Sequence, residues 1–293
     1  LVTASHGYAV AGTKQVILEV KDSRGLVSSV RKTVDVGRII DPGNSEAHPA
    51  WEVMFPAADV VLDPSGGHVY AADAKGKAIV EISAETGFLG RRWDLDRSPA
   101  PLALSADGRR LYAGLTGDEA GGGKGHGLVE IDLETGGKTA DLALDFHPCD
   151  VVATDSRIAV VSARWPEYEV VAVNAATGAR TSSLTMFQDL RLVLHPSQRV
   201  VYAVMDDGWS SYVIRLALDP AAGILEKTDY ASRYEGDSWG DYEPSVSPDG
   251  TLLAAGGCHL FALSEDPSRD MAPVGDLAFT SASSIAFDLP RRA

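Results

Sequence analysis

Cysteine, long apolar runs and positive charge are all scarce in this chain. Its 293 residues include only two cysteines, Cys149 and Cys258, which lie far apart in the sequence. We therefore expect two small buried thiols rather than a disulfide. No run of 18 apolar residues occurs, which argues against a membrane-spanning helix. Because 41 acidic residues outnumber 26 basic ones, the formal net charge is −15, which disfavours nucleic acid as a partner.

Sequence motifs of several enzyme classes are missing as well. Neither His-x-His nor His-Glu-x-x-His occurs, so zinc chemistry has little support. No serine elbow or reactive-cysteine arrangement is present. The glycine-rich run at 121–127 lacks the Gly-Lys-Ser/Thr ending and the following helix of a phosphate loop, so we interpret it as a flexible surface loop.

What the chain does contain is a pattern of short apolar strands and tight turns that recurs six times. The turns are counted from Pro64, Ala106, Thr154, Pro196, Pro248 and Pro290, which gives steps of 42, 48, 42, 52 and 42 residues. A period of about 40–45 residues built from short strands is typical of β-propeller blades. Since a single blade cannot bury its own faces, the repeats are expected to pack radially.

The strands of a blade can be placed from their apolar runs. In the first blade we predict an innermost strand at 59–62, then strands at 68–72 and 78–82, and an outer strand at 91–95 after a Thr-Gly turn. The same order begins again near residues 101, 150, 191 and 244. The inner strands are almost continuously apolar, as expected of strands buried on both faces.

Two segments of the second blade resemble the YVTN-type propeller repeat. They are Ser-Ala-Asp-Gly-Arg-Arg-Leu-Tyr at 105–112 and Val-Glu-Ile-Asp-Leu-Glu-Thr-Gly at 129–136, and the turn at 247–250 matches as well. This repeat occurs in surface-layer, periplasmic and lactonase-like propellers. The third and fifth blades depart from it, because Asp155-Ser156 replaces Asp-Gly and no Thr-Gly follows Leu263. The resemblance covers roughly 51–293 and implies a fold far more than a function.

Residues 1–37 have two interpretations. Tyr8, a Gly-Thr pair and an Asp-x-x-Gly turn resemble the last strands of a PKD domain, an Ig-like sandwich of secreted surface proteins. Alternatively, 15–20 and 26–36 supply the middle strands of the closing blade. That blade would take its inner strand from 284–287 and its outer strand from 51–55. We favour the PKD-like segment, with 38–50 as a linker and 51–293 as the propeller.

Loops rich in tryptophan and carboxylates are predicted to lie on one face, around the mouth of the central channel. In a propeller, the connections between second and third strands share a face with those leading into the next inner strand. The candidate ligand-binding residues on these connections are Trp165, Tyr168, Trp209, Trp239, Asp241 and Tyr242. Exposed aromatic rings with flanking polar groups suit sugar rings or cationic peptides. The alternative is that the tryptophans pack between blades.

Two further constellations on this face were weighed for chemistry. Asp206, Asp207 and Asp237 could hold Ca²⁺, although neither segment has a known calcium-loop spacing and solvated acidic loops are the simpler interpretation. No other cofactor is expected. His126 and His147 could approach each other, near Glu167 or Asp189, and perform acid–base work. Ordinary hydrogen-bonded loop histidines are the simpler interpretation here too.

The sequence therefore predicts an all-β protein, a β-propeller of six four-stranded blades with an N-terminal PKD-like β-hairpin segment. The leading functional hypothesis is a non-catalytic extracellular binding or structural module that recognises carbohydrate or protein through the rim. The alternative is a lactonase- or lyase-like propeller enzyme that uses rim histidines and carboxylates. We expect a secreted or cell-surface location within a larger polypeptide, with neither a nucleic-acid partner nor membrane insertion.

Overall fold

The computed structural model describes most of the repeat region and a hairpin before it. The described residues are 12–21, 27–36, 55–84, 86–117, 125–164, 166–186, 188–206, 210–235, 243–255 and 259–276, the first two ranges by their backbone alone. Every regular element in these ranges is a β-strand. Within them, no helix is long and apolar enough to cross a bilayer.

The strands form one hairpin and five sheets of four antiparallel strands each. The hairpin pairs β1 (Gly12–Lys21) with β2 (Val27–Val36). The first sheet contains β3 (Val60–Leu62), β4 (His68–Asp73), β5 (Ala78–Ser83) and β6 (Leu89–Asp94). The second contains β7 (Ser98–Leu104), β8 (Arg110–Thr116), β9 (Gly127–Asp132) and β10 (Lys138–Ala143).

The remaining three sheets repeat this order of strands. The third contains β11 (Pro148–Ala153), β12 (Ile158–Ala163), β13 (Glu169–Asn174) and β14 (Ala179–Thr185). The fourth contains β15 (Leu190–Leu194), β16 (Val200–Asp206), β17 (Ser210–Asp219) and β18 (Ile224–Glu235). The fifth contains β19 (Ser245–Val246), β20 (Leu252–Ala255), β21 (His259–Ala262) and β22 (Ala272–Asp276). Within every sheet, neighbours in sequence are neighbours in space.

Apolar layers lie between successive sheets, so each inner sheet is buried on both faces. The strand β12 shows this, because all of its positions are buried. Ile158 and Val160 pack towards the fourth sheet, whereas Ala159 and Val161 pack towards the second. Alternation with a period of two sends successive side chains to opposite faces. Sheets stacked through both faces around an axis form a propeller, which confirms the predicted all-β propeller fold.

The tight turns explain how the repeats tolerate departures from the Asp-Gly sequence. Gly108 occupies the left-handed region with φ of +67°, where glycine has no steric penalty. In the third and fourth repeats the left-handed residues are Arg157 and Gln198, with φ of +67° and +59°. The turn shape is therefore retained at the expense of a non-glycine residue in a disfavoured conformation.

The fifth sheet keeps its fourth strand although no Thr-Gly turn follows Leu263. A longer connection leads into β22, and its Asp270 accepts hydrogen bonds from Tyr202 Oη at 2.8 Å and from Arg215 Nε at 2.7 Å. The long step of 52 residues in the repeat spacing coincides with the extended strands β17 and β18, of 10 and 12 residues. The hydrogen bonds of Asp270 therefore tie the longer connection of the fifth blade to the fourth blade.

The number of blades and the role of the N-terminal segment stay predictions. Among the described strands, β1 and β2 pair only with each other. The predicted linker and the predicted closing strand at 284–287 lie outside the described residues. The face of the first sheet that is turned away from the second is nevertheless buried at Ala71, Val80 and Ile82. A closed ring requires such burial, because each blade then has a neighbour on both sides.

Candidate functional site

A cavity of about 660 Å³ lies at the centre of the sheets and is lined by their innermost strands. Its walls are Ala57, Ala58, Asp59, Val60, Val61, Leu102, Ala103, Asp150, Val151, Val152, Leu192, Val193, Leu194 and Glu243. The walls are mostly aliphatic, and every charged lining group is a carboxylate. These carboxylates lie at the end of the sheets where the connections between second and third strands also lie. The central channel thus has an apolar wall and an acidic mouth.

The charged residues at the mouth come from one position of the repeat, at or just before the start of the inner strand. When the repeats are aligned on the left-handed residue of each turn, the position seven residues earlier is occupied by Asp59, Pro101, Asp150, Arg191 and Glu243. We call the four charged residues of this set, Asp59, Asp150, Arg191 and Glu243, the mouth cluster. Because the inner strands surround one axis, a position repeated about every 42 residues becomes a ring around the channel.

Asp59 and Asp150 each fasten one blade to the next. Asp150 accepts the backbone N–H of Leu192, in the fourth blade, on Oδ2 at 2.6 Å, and the N–H of Val151 on Oδ1 at 2.7 Å. Asp59 accepts the N–H of Leu102, in the second blade, on Oδ2 at 2.7 Å, and its Oδ1 accepts the N–H of Val60. In both residues, one oxygen accepts an amide of the next blade and the other accepts the amide of the following residue in its own strand.

The remaining two members of the mouth cluster form an ion pair between the fourth and fifth blades. Arg191 Nη1 lies 3.4 Å from Glu243 Oε1. Burial raises the pKa of Asp59 to about 6, and the negative charge of Glu243 raises it slightly further. The amide hydrogen bonds that Asp59 accepts and the charge of Arg191 act in the opposite direction. Burial also raises the pKa of Asp150, to about 8, and the negative charge of Glu243 raises it further. Burial therefore favours the protonated form of both aspartates, and of Asp150 more strongly than of Asp59.

His126 and His147 meet on the same face. Their ring centroids lie 4.8 Å apart with an interplanar angle of 89°, an edge-to-face contact. The Nδ1 atom of His126 accepts the backbone N–H of Gly117 at 3.2 Å, which leaves Nε2 as the protonated nitrogen of a neutral ring. The two histidines therefore approach each other as predicted. Their catalytic role stays a prediction.

A buried arginine holds the segment that carries His126. Arg97 is 6% exposed and donates from Nη1 to the carbonyl oxygen of His126 at 3.2 Å. It also forms ion pairs with Asp96 and Asp141. A buried guanidinium whose donors are all directed at fixed acceptors orders the backbone around it. Arg97 therefore positions the end of the glycine-rich loop.

A second ion pair lies beside His147. Arg164 Nε is 3.2 Å from Asp189 Oδ2, and the backbone N–H of Arg164 donates to the carbonyl oxygen of His147 at 2.8 Å. Close by, Cys149 is a buried free thiol, and burial raises its pKa. A buried thiol of raised pKa is a poor nucleophile. Cys258 lies outside the described residues.

Most of the predicted ligand-binding residues lie outside the described residues. This applies to Trp165, Trp209, Trp239, Asp241 and Tyr242, and also to Asp207 and Asp237. Asp206 ends β16, and its side chain is not among those described. Tyr168 lies between β12 and β13, at the predicted end of the sheets, and has φ of +43°. Among the described side chains, no three His, Cys, Asp or Glu residues are grouped as a metal site.

Sequence reasoning missed the mouth cluster, although a signal was present. Asp59, Asp150 and Arg191 stand at predicted starts of inner strands, and Glu243 directly precedes the predicted start near residue 244. Aligning the repeats as columns shows that they share one position. That column alone does not reveal that Asp150 is buried, or that Asp59 and Asp150 accept hydrogen bonds from neighbouring blades.

Comparison with known proteins supports the fold. No protein-family model and no curated protein matches the sequence. Similar solved structures include hydrazine synthase from Kuenenia stuttgartiensis, with 14% identity and a TM-score of 0.56, covering 73% of this chain and 58% of that one. A functionally unknown protein from Desulfotomaculum acetoxidans has 10% identity and a TM-score of 0.60, covering 76% and 70%.

A third similar structure is itself described as a propeller. The β-propeller domain of Cps50 (Swd1) from Myceliophteria thermophila has 11% identity and a TM-score of 0.58, covering 76% of this chain and 72% of that one. The match to hydrazine synthase spans less than two thirds of the length of that protein's chain. At these identities the likeness shows the fold alone, and the fold is that of a β-propeller.

Proposed function

We propose that this protein is a non-catalytic binding or structural propeller that recognises carbohydrate or protein through its Trp- and acid-rich rim. The observation that supports the proposal is that charged residues, and the connection that carries Tyr168, lie at the end of the sheets where one cavity has its acidic residues. Glu243, the last residue of the acidic segment 235–243, lines that cavity. Tyr168 and the Arg164–Asp189 pair lie on connections at the same end of the sheets. Concave sites with a few convergent polar groups are typical ligand sites.

The hydrogen bonds of the mouth favour recognition over catalysis. Both oxygens of Asp59 and of Asp150 accept backbone N–H groups, and Glu243 pairs with Arg191. These carboxylates are therefore committed to holding the blades in register. A general acid or base needs a lone pair or a proton directed at the substrate. The rim, rather than the mouth carboxylates, is left to contact a ligand.

Glycan-array and peptide-array screening of the chain tests the proposal. The variants Trp165→Ala, Trp209→Ala and Trp239→Ala are compared with Phe88→Ala as a matched control. Phe88 is 64% exposed and lies on a turn at the opposite end of the sheets. We expect at least one tryptophan variant to weaken binding by about 5–30-fold with little change in stability, since a central aromatic contact is worth about 1–2 kcal/mol.

Phe88→Ala should bind as the wild type does. The proposal fails if none of the arrays yields a ligand, or if the tryptophan variants unfold while the control remains folded. The second result would place the rings between blades, as ordinary packing. Circular dichroism and thermal melts of all four variants distinguish loss of a contact from loss of the fold.

A propeller enzyme of lactonase or lyase type is the second candidate, and the His126–His147 contact favours it. One ring fixed in a known tautomer beside another could relay a proton. Lactones and uronate-containing polysaccharides are the substrates to screen, with His126→Gln and His147→Gln as variants. His68→Gln serves as the control, because His68 begins β4 at the opposite end of the sheet. Activity that the two rim variants retain in full would eliminate this candidate.

The proposed location and ion requirement have their own tests. The YVTN-type and PKD-like resemblances support a secreted or surface-exposed chain within a larger polypeptide, and protease treatment of intact cells would check it. For Ca²⁺, Asp206, Asp207 and Asp237 supply the hard oxygens that this ion prefers. Thermal melts in calcium and in chelator would show a higher midpoint with calcium if these residues bind it. Equal midpoints would remove Ca²⁺ from the proposal.

A further inference from the structure

A second cavity, of about 370 Å³, lies between the second and third blades, towards their outer strands. Apolar side chains form most of its wall, and the lining includes Leu142, Phe146, Val171, Val173, Gly178 and Arg180. None of these residues lines the central channel. The volume falls within the range of about 300–1,000 Å³ that is typical of small-molecule sites.

The cavity lies where a tryptophan of the first blade is replaced by a leucine in the second. Trp93 in β6 pairs with Ile79. Leu142 in β10 pairs with Leu128. The two pairs are equivalent, because Ile79 and Leu128 each lie two residues before the glutamate that pairs with the tyrosine of their blade. Trp93 is 7% exposed and fills its junction, whereas the smaller Leu142 is only half-buried and leaves the same space open.

The junctions on either side are closed by a side-chain donor that Leu142 cannot supply. Between the first and second blades, Trp93 donates from Nε1 to the carbonyl oxygen of Gly136 at 2.8 Å. Between the third and fourth blades, Thr181 donates from Oγ1 to the carbonyl oxygen of Gly223 at 2.8 Å. Both glycines lie in the turn between the third and fourth strands of their blade. The equivalent residue of the third blade is Gly178, which has the same φ of +74° as Gly136 and lines the cavity. A leucine side chain has no hydrogen-bond donor for this carbonyl group.

Arg180 supplies a charged group beside the apolar space. Its guanidinium lies 5.8 Å from the centroid of the Phe146 ring, its Nη1 lies 3.4 Å from Asp145 Oδ1, and it also pairs with Glu169. In the junction before this one, the guanidinium of Arg91 lies 5.1 Å from the centroid of the Trp93 ring. Guanidinium groups are attracted to the faces of aromatic rings. The cavity therefore combines an apolar wall, a group that stacks on rings and a turn that presents a carbonyl group in neighbouring blades.

We propose that this cavity binds a small aromatic molecule of the indole class, a flat ring system with one N–H donor. The ring occupies the space that corresponds to the Trp93 ring one blade earlier, and its N–H donates to the carbonyl oxygen of Gly178. Val171 and Val173, which are 0% and 3% exposed and pack towards the second blade, form the apolar floor. Arg180 lies over the ring. The site is separate from the rim, so its test does not depend on what the rim binds.

Indole itself is the probe, and nuclear magnetic resonance of the full chain is the measurement. The methyl groups of Val171 and Val173 line the cavity, so their chemical shifts should change on titration with indole and should saturate. Indene has the same shape but carries a C–H group in place of the N–H group. It should bind about 3–10-fold more weakly, the loss expected for one hydrogen bond.

The variant Leu142→Trp places the ring within the chain itself. It should abolish the response of the two valines to indole, and it should leave the melting temperature unchanged or raise it, because an unfilled cavity costs stability. Leu89→Trp is the matched control. Leu89 is 66% exposed on β6 of the first blade, so the same substitution there should leave both indole binding and the melting temperature unchanged.

Four results would overturn the proposal. The first is the absence of any response of Val171 and Val173 to indole up to its solubility limit. The second is a Leu142→Trp variant that responds to indole as the wild type does, which would place the bound ring elsewhere. The third is a Leu142→Trp variant that fails to fold while Leu89→Trp folds, because the space would then not accept an indole ring. The fourth is indene binding as tightly as indole, which would remove the assigned bond to Gly178.

Discussion

Removing Arg157 should destabilise the propeller strongly, and by an amount that depends on pH. Arg157, in the third blade, donates to Glu130 of the second blade from Nη2 at 2.6 Å and from Nε at 3.1 Å. Glu130 is fully buried, with 0% exposure, and also accepts from Tyr112 Oη at 2.7 Å. Burial alone would raise the pKa of Glu130, but hydrogen bonds from Arg157, Thr139 and Tyr112 outweigh it and hold the pKa below its usual value.

The magnitude follows from leaving a buried charge without its partner. Breaking a buried ion pair from one side costs about 3–5 kcal/mol. Tyr112 and Thr139 still donate to Glu130, and Arg110 Nε lies 4.0 Å away. We therefore expect Arg157→Met, which keeps the aliphatic stem, to lower the free energy of unfolding by about 3 kcal/mol at pH 8.

The sign of the pH dependence follows from the pKa of Glu130. In the wild type the folded-state pKa is lowered, so the stabilisation is present above the unfolded value of 4.5 and is lost as the pH falls through the folded value. In Arg157→Met, burial without the guanidinium raises the folded-state pKa. The variant then loses stability as the pH rises above the unfolded value. The difference between wild type and variant should consequently be larger at about pH 8 than at about pH 5.

Urea denaturation monitored by tryptophan fluorescence at both pH values measures this difference. A double-mutant cycle supplies the control. In a Glu130→Gln background the buried charge is gone, so Arg157→Met should cost only about 1 kcal/mol, the value of an ordinary hydrogen bond. A loss that is the same at both pH values, or the same in both backgrounds, would show that the packing of Arg157 and not its charge stabilises the joint.

Three shorter predictions follow from other contacts. Gly114→Ala should lower stability by about 1–3 kcal/mol, because the new Cβ would lie 2.7 Å from Pro101 Cγ; thermal melts would contradict this if Gly125→Ala, which meets open space, were equally harmful. Tyr202→Phe should cost about 1–2 kcal/mol in urea denaturation through loss of its bond to Asp270, and an unchanged midpoint would show that the bond is energetically neutral. The raised pKa values of Asp59 and Asp150 mean that the folded state binds more protons than the unfolded state, so the free energy of unfolding should decline from about pH 5.5 to about pH 8; a rise over that range would refute the assignment.

The local part of the fold was predictable because it depends on neighbours in sequence. The predicted strands at 68–72 and 78–82 agree with β4 and β5. A period of two, interrupted by turns that favour glycine, asparagine or aspartate, specifies each hairpin. The blades that depart from the repeat sequence nevertheless form the same four-stranded sheet. Arg157 and Gln198 adopt the left-handed conformation that glycine has elsewhere, and the fifth sheet gains β22 without a Thr-Gly turn.

Positions within the repeat also predicted which end of the sheets each connection occupies. This was enough to place His126 and His147 on one face, because strand direction alternates within every blade. Whether the two rings touch depends on the exact path of both connections, which Arg97 and the Gly117 amide determine. The tryptophan and acidic rim was predicted on the same grounds, and its residues 165, 209 and 239 await the binding test.

The sequence by itself determined the repeat, the strand order and the end of the sheets at which the described connections lie, since all three follow from short-range patterns and chain direction. Only the tertiary structure decided the mouth cluster. Asp59, Asp150, Arg191 and Glu243 are separated by about 40 residues or more, and ring closure brings them to one axis. Their chemistry depends on burial and on mutual repulsion, which are properties of three-dimensional packing. A column of aligned repeats can name such residues, but burial in the packed structure is what raises the pKa of Asp59 and of Asp150.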